Sequence, residues 1–130
     1  MSAASEKSEL RTRYRFERRE RYLDHSFSYL ATSSEFSKAS VIASYISYGD
    51  EPNTSDLNQA LLKSGKELYL PRVSGENLEW VRWSGAGDQL VPSKLSKNLL
   101  DPVGPALTDL AMIQVVAVPA LRIDRSGYRL

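Results

Sequence analysis

Apolar positions along the chain change period several times, and each change marks an element. Between residues 6 and 30, Leu10, Tyr14, Leu23, Phe27 and Leu30 recur at steps of three, four and seven, which predicts one long helix with an apolar edge. Ser34 is placed to cap a short helix after it. The run 41–47, VIASYIS, is β-branched and aromatic, the composition of a buried strand. It breaks at Tyr48-Gly49-Asp50-Glu51-Pro52-Asn53, a turn by its glycine and proline. Thr54 or Ser55 then caps a helix over 55–64 with Leu57, Leu61 and Leu62 on one edge, and Gly65 stands at its C′ position. Residues 66–70 read as a second strand stopped by Pro71, and 78–83 alternate as a third, at an edge. Residues 84–104 are punctuated by Gly85, Gly87, Pro92, Pro102 and Gly104 and read as loop. The run 112–118, MIQVVAV, is nearly all apolar, which predicts a strand covered on both faces.

Strands alternating with helices predict an α/β fold: a three-layer, Rossmann-like, mainly parallel sheet flanked by helices. Ligands of such sheets bind beyond the carboxyl ends of the strands, where Glu51 would sit. The length of 130 residues suits a single domain over 1–130. A parallel strand normally continues into a covering helix, and after 112–118 the sequence runs out in Ser126-Gly127-Tyr128-Arg129-Leu130. The expectation is therefore a fold lacking its final C-terminal elements.

Composition narrows this picture only a little. An apolar share of 42% and a formal net charge of +1 are those of an ordinary globular protein and point to no particular partner. With no cysteine, disulfides and thiolate metal sites are excluded. No signal peptide and no apolar run near the roughly 20 residues of a membrane span are visible, so a soluble, cytoplasmic protein is expected. The first helix is dense in charge: Arg11, Arg13, Arg15, Arg18, Arg19 and Arg21 alternate with Glu9, Glu17 and Glu20. That pattern reads as a solvated face laced with ion pairs. An RNA-binding arm is the alternative, and the glutamates weaken its field.

Other chemical candidates carry less. His25, the sole histidine, has no partner motif and reads as structural. Trp80 and Trp83 point to opposite faces of one strand, so at most one lines a pocket, with packing the favoured role. Gly85-Ala86-Gly87-Asp88 is no phosphate loop, because no strand-to-helix frame surrounds it. No metal-ligand cluster and no nucleophile triad is visible.

Several blocks, in order, resemble one family. Lys7-x-x-Leu10-Arg11 opens an arginine-rich helix; Tyr45-Ile46-Ser47 leads through Glu51 to Thr54–Leu57; Gly65-Lys66 precedes Leu70-Pro71-Arg72-Val73. Leu99-Leu100-Asp101-Pro102 and Val118-Pro119-Ala120 follow, with Asp124-x-x-Gly127-x-Arg129-Leu130 last. Together they resemble the 5-formyltetrahydrofolate cyclo-ligase (methenyltetrahydrofolate synthetase) family, from Lys7 to the last residue. No block is specific alone; the ordered set is. Asp101 stands where the family has glutamate or glutamine, and Arg122 where a small or apolar residue is usual. In the family the Arg-Leu pair opens a glycine-rich ATP loop carrying an aspartate near magnesium. Here the sequence ends at that pair, so a C-terminally truncated member with little or no turnover of its own is expected.

The resemblance implies a ligase of one-carbon folate metabolism that converts 5-formyltetrahydrofolate to 5,10-methenyltetrahydrofolate with ATP and Mg²⁺. It assigns Lys7, Arg11, Arg129 and Leu130 to ATP, and Arg11, Ile46 and Glu51 to the folate, with no metal ligand in this chain and no catalytic residue named. Each has a plainer reading: surface charge for Lys7 and Arg11, core packing for Ile46, and for Glu51 a cap on the following helix. The expected partners are 5-formyltetrahydrofolate and ATP, with neither membrane nor nucleic acid, in a monomer. A non-catalytic folate- or nucleotide-binding remnant is the second reading.

Overall fold

The computed structural model describes residues 2–130. Helix α1 (Ala3–Arg21) is capped by Ser2, whose hydroxyl accepts from the Ser5 amide at 3.2 Å. Glu6 lies in its first turn and Arg18, Arg19 and Arg21 in its last, as the helix dipole favours. The helix ends nine residues before the predicted residue 30. No residue of α1 is buried, and only Tyr14, Glu17 and Arg18 are even partly covered. Its apolar positions make no stripe wide enough for packing to prolong it. Phe27 and Leu30, read as the same edge, belong instead to a separate 3₁₀ turn (Ser28–Thr32) that packs on the core, while Leu23 stays 82% exposed. His25 is thus off the helix, edge-on to Phe27 with ring centroids 4.9 Å apart. The short helix α2 (Ser34–Lys38) is capped by Ser33 rather than Ser34 and buries Phe36.

Strand β1 (Val41–Ala43) is shorter than its apolar run, because after the Ser44 amide the chain leaves the ladder to form a loop. Helix α3 (Ser55–Lys63) follows, and Gly65, at φ 79°, closes it as the C′ residue. Strands β2 (Glu67–Ser74) and β3 (Asn77–Trp83) form an antiparallel hairpin. Its loop is Gly75-Glu76, with Gly75 at φ 62° supplying the positive φ such a tight connection requires. Strand β2 does not stop at Pro71. The Tyr69 carbonyl accepts from the Ser44 amide toward β1, so the residue two further on has its nitrogen on that side, where the last β1 pairing is Ala43 with Tyr69. The missing N–H of Pro71 therefore costs no ladder bond.

The stretch read as loop holds a two-stranded antiparallel ribbon, β4 (Leu90–Pro92) and β5 (Leu100–Pro102). Of the run 112–118 only Val115–Val116 forms strand β6. Nor is it covered on both faces: β6 lies at the sheet edge, and Val116 and Val118 are 48% and 50% exposed. The sheet order is β3-β2-β1-β6, parallel across β2-β1-β6 with β3 antiparallel. A mixed, mostly parallel sheet flanked by helices is the α/β fold expected. The core gathers Phe36, Ile42, Leu57, Leu61, Leu68 and Trp83, so the β1-α3-β2 unit is its centre. Among the described residues no helix is long and apolar enough to cross a membrane.

Candidate functional site

Where β1 ends, a buried polar network shapes the loop that follows. The Ser44 hydroxyl donates to Asn58 Oδ1 at 2.6 Å, and Asn58 Nδ2 donates to the Tyr45 carbonyl at 3.0 Å. The Thr54 hydroxyl donates to the same carbonyl at 2.6 Å. Thr54 holds the N-cap position of α3, but its hydroxyl is thus turned inward and makes no cap bond; Asn53 Oδ1 accepts from the Ser55 amide instead, at 2.9 Å. Nor does Glu51 cap that helix. Its Oε1 accepts from the Tyr48 amide at 2.8 Å and closes its own turn. The Tyr45 hydroxyl donates to the Pro52 carbonyl at 3.0 Å. Burial, and secondly the negative charge of Glu51, push the Tyr45 phenol up to about 12, against an opposing pull from Arg18.

Beyond this loop lies a cavity of about 450 Å³, within the range of small-molecule sites. Its walls are mostly apolar, among them Ile46, Leu70, Trp80, Leu99 and Val118, with Glu51, Asp101 and Arg129 as charged groups. The ribbon side is held by Arg72. Its guanidinium donates to Glu79 Oε2 at 3.0 and 2.8 Å and to the carbonyls of Pro102 and Gly104 at 3.2 and 2.9 Å. The fork of Arg72 thereby joins β2, β3 and β5 on one side chain.

A second cleft, about 280 Å³, is lined by Arg11, Arg15, Arg18, Glu51, Arg129 and Leu130, among others. The two spaces share Glu51, Pro119 and Arg129. Residues 119–130 form a tight hairpin: Asp124 Oδ1 accepts from the Ser126 and Tyr128 amides at 2.9 Å each, and the Leu130 amide donates to the Arg122 carbonyl at 2.9 Å. Arg129 donates to the Pro119 carbonyl at 2.8 Å, which fixes its guanidinium at the shared rim. Arg18 is ion-paired with Asp50 at 2.8 Å; among the described residues Arg11 and Arg15 have no ion-pair partner. Several cations around one carboxylate make an anion-attracting cleft beside an apolar cavity.

Of the residues singled out by resemblance, Arg11, Glu51, Arg129 and Leu130 meet at the cleft, and Ile46 lies in the cavity wall. Lys7 shares the Arg11 face of α1 one turn earlier but lies exposed, outside both spaces. Sequence reasoning missed Arg15 and Arg18 as cleft residues and favoured packing for Trp80. The signal for the arginines was present: 11, 15 and 18 are spaced four and three apart and fall on one helix face. For Trp80 nothing local separated a cavity wall from core.

Residues 3–130 match the model of the 5-formyltetrahydrofolate cyclo-ligase family. The chain belongs to that family. Among solved structures it is similar to the 5,10-methenyltetrahydrofolate synthetase of Aquifex aeolicus, with a TM-score of 0.70 and 25% identity. That likeness covers 92% of this chain and 66% of the other, so the chain spans just under two thirds of that relative's length. No curated protein matches it. The cyclo-ligase family match runs through both spaces, from the α1 arginines to the hairpin that carries Arg129.

Proposed function

We propose that this chain binds a reduced folate in the apolar cavity and the phosphates of ATP in the arginine cleft, and serves the ATP-dependent cyclisation of 5-formyltetrahydrofolate to 5,10-methenyltetrahydrofolate. The observation that carries this reading is the shared rim. Glu51, Pro119 and Arg129 belong to both spaces, so a ring system in one and a phosphate in the other would touch there.

In the reaction, the formyl oxygen attacks the γ-phosphorus and ADP departs. The folate N10 then attacks the activated formyl carbon, loses its proton, and phosphate leaves with the former formyl oxygen. Such transfer depends on positioning and charge stabilisation. Arg11 and Arg15 would meet the phosphates from α1, with Lys7 the next cation along the same face. Arg129 would stand against the transferring group, and Leu130 would bound the cleft. Glu51 has one carboxylate oxygen on the Tyr48 amide; the other would accept from the N–H edge of the pterin, with Ile46 against the ring. Among the described residues no three His, Cys, Asp or Glu side chains lie together, so the residues present do not form an all-protein cage for Mg²⁺. The ion would enter chelated by the phosphates, as MgATP, in the manner usual for Mg²⁺.

The test is the appearance of 5,10-methenyltetrahydrofolate absorbance when the chain meets 5-formyltetrahydrofolate and MgATP, alongside calorimetric binding of each ligand. Product formation supports the proposal. Folate binding without product supports the non-catalytic reading, and a folded chain that binds neither ligand removes both.

A further inference from the structure

Helix α1 supplies three cations of the cleft yet has no buried residue to hold it there. Its only partly covered positions, 14, 17 and 18, make two contacts with the body of the protein. Arg18 grips Asp50, the neighbour of Glu51, through Nε and Nη2 at 2.9 and 2.8 Å. Glu17 accepts from Arg122 Nη2 at 2.9 Å, and the same Arg122 guanidinium lies 4.4 Å from the centroid of the Tyr14 ring. One clasp thus ends on the turn that carries Glu51, the other on the hairpin that carries Arg129. Asp50, Glu17 and Arg122 line neither space.

We infer that Asp50, Glu17 and Arg122 are positioning residues that dock α1 across the cleft and so assemble a polyphosphate-binding site from Arg11, Arg15 and Arg129. The inference rests on the phosphate reading of the cleft given above. A helix face without apolar anchorage is held by what its long side chains grip, and two clasps on different segments fix both its position and its rotation. Arg122 is one half of the second clasp, paired with Glu17 and set against the Tyr14 ring.

Charge and position make opposite predictions. Glu17 and Asp50 are acidic groups close to an anion site, so on charge alone their neutralisation would tighten anion binding. As positioning residues their loss weakens it. The experiment is calorimetric titration of the full chain with inorganic triphosphate at fixed ionic strength, for the wild type and the double variant E17Q/D50N. Amide hydrogen exchange across α1 is followed in parallel. The expected result is triphosphate binding about five- to tenfold weaker in the double variant, from two partly exposed pairs. Faster exchange confined to α1 should accompany it, with recovery in the charge swap E17R/R122E relative to E17R alone. Equal or tighter binding in E17Q/D50N overturns the inference and leaves the phosphate reading standing. A wild-type chain that binds no triphosphate overturns both. A double variant whose exchange rises throughout the sheet has lost its fold rather than its clasps. In that case R122M, which removes one clasp without touching the loop network, decides by the same comparison of affinities.

Discussion

Ser44 and Asn58 are joined by a 2.6 Å hydrogen bond in the buried centre of the protein, with the Asn58 amide turned on to the carbonyl of Tyr45. The pair links the last residue out of β1 to the middle of α3 and sets the direction in which the chain leaves the sheet. Replacing Asn58 by Ala strands the Ser44 hydroxyl and opens space at a position only 1% exposed. The expected cost is about 2 kcal/mol, or a fall in Tm of roughly 6–10 °C, seen by thermal melting. Folate affinity should fall more than this destabilisation alone would give, because the loop bearing Ile46 and Glu51 loses its anchor. A melt within a degree of wild type would show that the network does not hold the loop.

Arg72 does for the ribbon what Asn58 does for the loop. It bonds Glu79 and the carbonyls of Pro102 and Gly104 while only 25% of its side chain is exposed. R72A should cost about 1–3 kcal/mol and speed proteolysis within 84–104 more than elsewhere. R72K should behave nearly as badly, because an ammonium cannot span β3 and β5 as the fork does. Cleavage evenly distributed along the chain would argue that Arg72 merely adds global stability.

Much of this arrangement was legible in the sequence, for identifiable reasons. The β1-α3-β2 unit and the third strand at the sheet edge follow from local signals: an apolar run, a leucine edge, Gly65, and alternation up to Trp83. Arg11, Glu51, Arg129 and Leu130 were singled out through an ordered set of blocks, and all four fall on one cleft. The failures are places where a pattern has two physical origins. Leu23, Phe27 and Leu30 continue the helical period of Leu10 and Tyr14, yet the two groups pack in different places, and periodicity carries no record of that. Val115 to Val118 is as apolar as a doubly covered strand, but its outer residues stand at an edge and line cavities. Arg15 and Arg18 were lost among neighbours of like charge, because composition does not say which face of α1 turns toward the protein.

Trp80 forms part of the cavity wall, whereas Trp83 is 6% exposed and donates its indole N–H to the Ala86 carbonyl at 2.9 Å. A pterin or aminobenzoate ring in the cavity would lie within reach of Trp80 alone. Titration with 5-formyltetrahydrofolate should therefore quench part of the tryptophan emission in the wild type and almost none in W80F. W80A should bind folate about tenfold more weakly, the scale of one lost aromatic contact with its burial, and leave triphosphate binding unchanged. Undiminished quenching in W80F would place the ring elsewhere.

Tyr45 makes the alkaline limb of stability a probe of the same loop. Its phenol is raised from the ordinary 10.0 to about 12, mainly by burial and secondly by Glu51. Because the folded protein then holds a proton that the unfolded chain releases, the contribution of Tyr45 is complete below about pH 10 and is lost as pH rises towards 12. Denaturant midpoints of the wild type should therefore fall with pH across that window more steeply than those of Y45F. Y45F forfeits the bond to the Pro52 carbonyl and so starts lower at neutral pH, but its curve should converge on the wild type as the phenol ionises. E51Q removes a charge that disfavours the phenolate, so in that variant the fall should start at the same pH, set by the unfolded chain, but be smaller and end at a lower pH. Parallel wild-type and Y45F curves would mean that Tyr45 titrates as it does in the unfolded chain, with its hydroxyl open to water and not on Pro52.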